Sequence, residues 1–562
     1  MSISNPNLPK SILALREYSF QIFLHDLLAG ITVGLVALPL AMAFGIASGV
    51  TPQAGLYTAV AAGFLISALG GSRTQIGGPT GAFVVIIAGI VLRFGISGLA
   101  MVTLMAGILL LAMGLTGFGA AVRFIPRMVV IGFTNGIAIL IASTQIKDFF
   151  GLKTPAVPSE FLPRIKLLIA HAGSLNWAAF WLALGTLAIL VILPRFTKRV
   201  PASIVALLIA TVVTAAFHLP VETIGSKFGG IPRGFPPFAI PDFHAEHILP
   251  LMPSAFTVAL LAALESMLSA VVADDMTGDR HNSNVELVAQ GIANIVSPMF
   301  GGIPATGAIA RTATNIRAGA RSPVSGMVHA VTLLMILLVA APLASYIPLA
   351  TLAAVLVVVA YNMGEWHEIG GILQTDATAI SVWLVTFGLT VFADLTVAVG
   401  VGITLAALLY IYRVADTTTV SPVTDEYIRD GLPHVLQGRI VPPYVSLLRI
   451  HGPFLWGTTE KLVEATVNIE AFQPVVILRL RNMMAVDATG IHAIESFAKQ
   501  LHESGRTLLL CGAMEQPSKL LSGGRFQDCI GRENIMPNIQ AALDRAKQVH
   551  AVRSDAGSRD LQ

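Results

Sequence analysis

Charge is scarce in this 562-residue chain. Asp, Glu, Lys and Arg make up 12% of it, against 54% hydrophobic residues and a mean hydropathy of +0.75. Soluble domains typically carry about 25% charged residues, so an ordinary soluble enzyme and a disordered chain are both excluded and a polytopic membrane protein is indicated. Cysteine is nearly absent. Cys511 and Cys529 are the two present, too few to imply a disulfide framework. There is no CxxC or HExxH pair, so no metal site or other cofactor is suggested. The net charge of +3 is too small to argue for a nucleic-acid partner.

What charge there is falls unevenly. Residues 1–414 hold 36 ionisable Lys, Arg, Asp and Glu, near 9%, while residues 415–562 hold 31, near 21%. The division predicted is therefore a cytoplasmic N-terminal segment at 1–24, a membrane domain at 25–414, a polar linker at 415–440, a soluble domain at 441–550 and a disordered tail at 551–562.

The first apolar stretch, from Leu27 to Val50, is too long for a signal h-region of about 7–15 residues. It matches the roughly 20 residues that cross a bilayer. Further apolar runs lie near 53–69, 82–92, 99–119, 128–146, 177–193, 202–217, 250–273, 287–300, 323–344, 347–362, 377–393 and 396–412. With a shorter segment near 306–316, fourteen membrane elements are predicted, seven in each half. The segments at 79–92 and 306–316 are short, and each follows a Gly/Pro-rich polar stretch: GGSRTQIGGPTG (70–81) and GGIPATGA (301–308). Lipid cannot satisfy free backbone groups, so such stretches must be buried in protein or line a cavity. Paired broken helices at corresponding positions point to a transporter binding site, although glycine pairs also recur in membrane helices generally.

Loops on the N-terminal side carry Arg73, Arg123, Arg127, Arg195, Lys198, Arg199, Arg280, Arg317, Arg321 and Arg413. The positive-inside rule then places both termini in the cytoplasm, with the chain in the cell (inner) membrane. In the soluble part, strands are predicted at Tyr444–Ile450, Val475–Leu480 and Thr507–Cys511. The turn Asp487-Ala488-Thr489-Gly490 opens an amphipathic helix that ends near Ser504. Strand–helix–strand spacing of this kind implies parallel neighbours.

Ionisable residues inside membrane segments are functional by default. Glu265 lies in LLAALESMLSAVVADD and Arg311 in TGAIARTATNI. Burying either alone is costly, whereas a pair across a cavity makes sense; the alternative is an ion pair that only fixes helix register. Pro79 suits a first helical position, and Thr80 and Gly81 then open a short helix. Two such N-termini, each carrying about half a positive charge, make an anion site with the Arg311 guanidinium. A charged Glu265 about 5 Å from the anion would repel it by ~3 kcal/mol at an effective dielectric of ~20. Proton uptake at Glu265 and anion binding at Arg311 are therefore mutually favourable, a physical basis for symport. Elsewhere, Asp274, Asp275, Asp279 and His281 fit a solvated turn better than a metal site. Asp26 can cap the first span. Asp394 reads as a helix-end residue. Phe44 follows the Pro39 break and serves either substrate contact or core packing.

DLLAGITVGLVALPLAMAFGIASGVTPQAGLYTA (26–59), GGPTGAFVV (77–85), ELVAQGIANIVSPMFGGIPATGAIARTATNIRAGA (286–320) and the C-terminal α/β part together resemble the SulP anion permeases, relatives of prestin and pendrin, with a STAS domain similar to anti-sigma-factor antagonists. GFTNGIAILIASTQIKDFFGL (132–152) resembles the C4-dicarboxylate-transporting branch. The resemblance implies a polytopic α-helical fold of fourteen segments in a seven-plus-seven inverted repeat with two half-helices, an elevator motion, a homodimer and no enzymatic activity. It implies that Phe44, Thr80, Gly81, Ala310 and Arg311 bind the anion, with Ser269 and Pro79 in support, and that Glu265 couples a proton. Sodium-coupled bicarbonate members carry Gly and Asp at positions 311 and 265, so Arg311 and Glu265 favour protons and a larger or doubly charged anion, sulfate or a C4-dicarboxylate. Asp487 and Thr489 match the antagonists' phosphorylatable turn, where a cytoplasmic regulatory protein would act; Ala488 replaces the first Ser, and a plain helix start is the simpler reading. The other functions weighed are a sodium–bicarbonate symporter, an anion exchanger or channel of the same fold, and a membrane-bound STAS signalling protein.

Overall fold

The computed structural model describes residues 8–559 apart from 15–17, 120–125, 198–200, 232–233, 242–245, 247, 394, 424–439 and 522. Asp394, Arg123, Lys198 and Arg199 thus lie outside the described residues, as does most of the expected linker. The chain divides into two units, Met1–Ala406 and Ala407–Gln562, close to the break in charge density.

In the first unit every long apolar run is helical. In chain order the helices of the apolar runs are α1 (Phe20–Ala47), α2 (Pro52–Leu69), α3 (Val84–Leu115), α4 (Arg127–Phe150), α5 (Trp177–Phe196), α6 (Ala202–Ala216), α7 (Ile248–Thr277), α8 (Ser283–Val296), α9 (Ile309–Arg317), α10 (Val324–Ala344), α11 (Leu349–Met363), α12 (Ala377–Phe392) and α13 (Leu395–Thr417), the last of which runs past the boundary at Ala406. Among the described residues nine helices are long and apolar enough to cross a bilayer. The runs expected at 82–92 and 99–119 form one element with a break at Gly95, whose φ of 69° leaves the helical region. Two two-residue strands, β1 (Gly77–Gly78) and β2 (Thr306–Gly307), pair antiparallel between the helices.

Small residues set the packing, as expected where lipid supplies no hydrophobic drive between helices. α3 and α8 cross so closely that a methyl group on Gly107 would lie 2.7 Å from the Ile295 amide, and one on Gly291 would lie 2.6 Å from the Leu111 amide. Buried carboxylates then tie loops to helices. Glu286 accepts the Gly71 and Ser72 amides at 2.8 and 3.2 Å. Asp26 does not cap its own helix, because α1 begins six residues earlier, with Ser19 as its cap. Instead its fully buried carboxylate accepts the Arg321 and Ser322 amides at 2.7 and 3.1 Å, the Ser322 hydroxyl at 2.5 Å and the Tyr18 hydroxyl at 3.2 Å. It holds the turn that precedes α10.

The second unit is an α/β domain with a sheet of order β3–β4–β5–β6–β7: Thr419–Pro422, Val445–His451, Val475–Asn482, Thr507–Cys511 and Ile535–Met536. β4 to β7 are parallel, and β3 joins antiparallel at the edge. The central strand begins VVILRL, six buried residues in a row, as a parallel strand covered on both faces requires. Val476, Leu478 and Leu480 pack in one layer with Phe497 and Leu501 of α14 (Ala488–Glu503). Val475 and Ile477 pack in the other with Ala542 and Ala546 of α15 (Ile539–Arg559).

Two expectations change here. The stretch expected as linker contains β3, whose backbone groups find partners on β4. The tail expected to be disordered from residue 551 continues α15 to Arg559, since the helix is already nucleated and its first half is packed on the sheet. Burial pushes the Cys511 thiol up to about 12, against an opposing pull from Arg479, while Cys529 is exposed. N-ethylmaleimide near neutral pH is expected to add once to the native protein, at Cys529, and to reach Cys511 only after unfolding. Two adducts on native protein, read by intact mass, would contradict this placement.

Candidate functional site

The site is organised by one face of α7. Ala262, Glu265, Ser266 and Ser269 follow the i, i+3, i+4, i+7 spacing that aligns side chains on one helix stripe. Each meets the crossing of the two Gly/Pro-rich stretches. Thr306 donates to the Ala262 carbonyl at 2.8 Å and lies 3.0 Å from the Ser266 hydroxyl. The Gly307 amide donates to Ser266 Oγ at 3.0 Å. Ser269 Oγ lies 3.0 Å from Thr312 Oγ1, which accepts the Ile76 amide at 3.0 Å. Thr80 Oγ1 donates to Glu265 Oε2 at 2.7 Å.

The remaining irregular backbone is satisfied by buried side chains, as membrane depth demands. Asn294 exchanges both amide groups with Ala305, at 2.8 and 2.9 Å. Thr58 accepts the Ile303 amide at 2.7 Å. Asn315 donates to the Thr74 carbonyl at 2.9 Å.

On this frame the two ionisable residues face the same turn. Arg311, in the first turn of α9, is 3% exposed. Its Nη2 donates to the Pro79 carbonyl, and its Nη1 has no partner among the described residues. Gly78 makes room for that nitrogen: a methyl group there would sit 2.6 Å from Nη1, and its φ of 149° also disfavours a side chain. Glu265 is half-buried and lies in the field of Arg311. Among the described residues no direct ion pair joins them. The alternative of an ion pair that only fixes helix register is not what the described residues show: the guanidinium is taken by Pro79 and the carboxylate by Thr80, neighbours in one turn.

The helix expected to open at Pro79 starts later. Gly81–Phe83 is a 3-10 turn running into α3, and Thr80 is its cap residue. Thr80 itself has extended backbone, φ −126° and ψ 161°, and Pro79 lies between it and strand β1. Thr80 makes no side-chain cap bond, since its hydroxyl points to Glu265. Gly81 keeps the approach open: a methyl group there would meet Phe44 Cε1 at 3.3 Å, Ile141 Cδ1 at 3.1 Å and Met363 Cε at 2.7 Å. Phe44 is buried at this spot and Ala310 is exposed. Sequence reasoning missed Ile141 and Met363, which no motif marks. It also missed Ser266, Thr306 and Thr312, although the Ser266–Ser269 spacing carried a signal.

The other candidates fall outside this cluster. His281 Nδ1 bonds Asp274 at 2.7 Å and Nε2 meets Ser283 at 3.0 Å. Asp279 pairs with Lys10 at 2.9 Å. In the second unit Asp487 caps α14, accepting the Gly490 amide at 2.8 Å through Oδ1 and the Trp456 amide at 2.8 Å through Oδ2. Thr489 stands exposed in the first turn, and the segment has the geometry of an ordinary helix start.

An anion-competent arginine beside two broken elements, joined to an α/β domain, can be set against known proteins. The family description "Sulfate permease family" matches residues 23–386, and "STAS domain" matches 439–542. The chain belongs to the sulfate permease family. It is therefore a multi-pass membrane anion transporter rather than an enzyme, with a C-terminal STAS domain. It is 42% identical to the protein named "Putative sulfate transporter YvdB" of Bacillus subtilis over 522 residues, 92% of this chain and 97% of that one. It is 31% identical to "Bicarbonate transporter BicA" of Picosynechococcus sp. over 546 residues, 93% and 94% of the two chains. The solved structure of SLC26A9 shares the fold, with a TM-score of 0.87, 18% identity and coverage of 98% of this chain and 94% of that chain.

Arg311→Ala in this sulfate permease family member is expected to leave a folded protein that no longer binds anion measurably. Loss of a charge-assisted donor pair of this kind removes at least about tenfold in affinity. Titration of the purified variant with labelled sulfate and fumarate checks it. Unchanged affinity for the better ligand would dismiss Arg311 as the anion group.

Proposed function

We propose that this chain is a proton-coupled symporter of a divalent anion, sulfate or a C4-dicarboxylate, working as a homodimer by an elevator motion of the broken-helix unit. The observation that carries the reading is the placement of Glu265. Its carboxylate accepts from Thr80, in the same turn whose Pro79 carbonyl holds Arg311. Any anion on the free Nη1 donors therefore lies near a carboxylate, and the two negative charges oppose each other unless a proton intervenes.

The magnitude supports obligate coupling. At about 5 Å and an effective dielectric of ~20 the repulsion is ~3 kcal/mol, more than a hundredfold in affinity. Protonation of Glu265 lifts it, and by linkage the bound anion strengthens proton binding by the same factor. Arg311 and two helix ends at about half a charge each sum to roughly +2, which a dianion neutralises and a monoanion leaves in excess.

Likeness to a bicarbonate transporter supports a second reading, sodium-coupled bicarbonate uptake. The permanent charge of Arg311 at the anion position argues for the first. In proteoliposomes with an imposed pH gradient, sulfate, fumarate and succinate are each expected to inhibit uptake of the best labelled anion more strongly than equimolar bicarbonate. A win for bicarbonate, or a requirement for sodium, would replace the first reading by the second.

Glu265→Gln is expected to bind and exchange anion while failing to accumulate it under external acid, because the amide mimics the protonated acid permanently. Continued acid-driven accumulation would place the coupling group elsewhere.

A further inference from the structure

Thr80 occupies an unusual position for a cap residue. A threonine at a helix N-cap ordinarily accepts a hydrogen bond from an amide of the first turn. Here that bond is absent. The hydroxyl instead spends its one hydrogen on Glu265 Oε2, at 2.7 Å. A hydroxyl has one donor hydrogen and two acceptor lone pairs, while an ionised carboxylate can only accept. So while Glu265 is charged, Thr80 cannot donate to anything else. The preceding residue, Pro79, accepts from Nη2 of Arg311 on α9, whose buried Nη1 is unpartnered among the described residues. The Arg311 guanidinium is thus held at Pro79, one residue before the hydroxyl that is committed to Glu265.

We propose that Thr80 is a hydroxyl switch that transmits the protonation of Glu265 to the bound anion. A proton from solution adds to Glu265 Oε2. The new carboxylic O–H donates to a lone pair of Thr80 Oγ1, reversing the direction of that hydrogen bond. The Thr80 hydrogen is released from Glu265, turns about the Cβ–Oγ bond and donates to an oxygen of the anion held by Arg311. One O–H bond forms, on Glu265, and none breaks within the protein. On return, loss of the proton from Glu265 draws the Thr80 hydrogen back and withdraws one donor from the anion as the repulsive charge reappears.

This rests on the proton-coupled reading above and adds to it. Charge repulsion alone couples proton and anion through space, with no role for the hydroxyl. The switch makes the same proton supply a hydrogen bond as well as remove a charge. Arg311, from α9, is the charged group that acts on Glu265; among the described residues the other elements around α7 bring it no further ionisable partner. We assign the pH response to Glu265 and its Thr80 bond; the other titratable group near the pair is His329 on α10, whose buried imidazole lies in the field of Arg311.

The two mechanisms separate in Thr80→Val, which keeps the shape and removes the hydroxyl. Equilibrium binding of labelled sulfate, and of fumarate in parallel, to the purified full-length protein is measured at acid and alkaline pH. The unaltered protein is expected to bind more tightly at acid pH. Thr80→Val should match it at alkaline pH and fall behind by about tenfold at acid pH, where the switch would have delivered its donor. Thr80→Ser, which keeps the hydroxyl, should track the unaltered protein throughout. Glu265→Gln removes the titratable group, so adding Thr80→Val on that background should change affinity equally at both pH values. A loss in Thr80→Val that is the same at both pH values, or no loss at either, overturns the switch and leaves proton coupling standing. An unaltered protein whose affinity ignores pH, or binds neither probe, overturns the coupling reading itself.

Discussion

The membrane unit depends on one stripe of α7 hydrogen-bonding to backbone that has no helix of its own. Over eight residues, from Ala262 to Ser269, a carbonyl, a carboxylate and two hydroxyls meet both Gly/Pro-rich stretches. Elsewhere in the bilayer a helix satisfies its own polar groups. At the crossing that internal solution is interrupted twice, and a buried backbone group left unpaired is costly. The stripe, with Asn294, Thr58 and Asn315, supplies the missing partners. What results is a pair of helix starts fixed by short side chains, which have little rotamer freedom to lose, so the donors of the proposed site are already in place.

The same economy explains why the ionisable residues do not pair directly. A bidentate Arg–Glu pair would neutralise both groups and leave neither free for transport, and it would be a deep trap in low dielectric. With Pro79 and Thr80 placed between them, each has a neutral partner. Arg311 retains a donor nitrogen, and Glu265 retains a reason to bind a proton. Two consecutive residues of one turn thus keep opposite charges close enough to influence each other and apart enough to act.

Much of this was legible in the sequence. The apolar runs announced the helices, the paired GG stretches announced the broken elements, and rarity of charge singled out Glu265 and Arg311. The soluble domain followed from alternating strand and helix patterns. What escaped has physical reasons. Asp26 reads as a cap because acidic residues near a span start usually are, yet helix α1 begins earlier at Ser19 and carries Asp26 to a distant turn. Pro79 reads as a helix start because proline fits there, but the backbone remains extended to Thr80 in order to pair β1 with β2. Charge alone placed Glu265 and Arg311 opposite one another, whereas their immediate partners are a hydroxyl and a carbonyl that have no sequence signature. Strand β3 is four residues long and needs β4, far along the chain, to exist at all.

Gly78 illustrates how a residue can govern chemistry while taking no part in it. It presents no functional group, yet the guanidinium nitrogen proposed to hold the anion occupies the volume that any side chain at position 78 would fill. In the proposed site, selectivity would be written partly in an atom that is missing. A survey of substitutions scored by transport would flag position 78 alongside the charged residues. A chemist looking only for ligating groups would pass over it, and the steric hole would be mistaken for a packing detail.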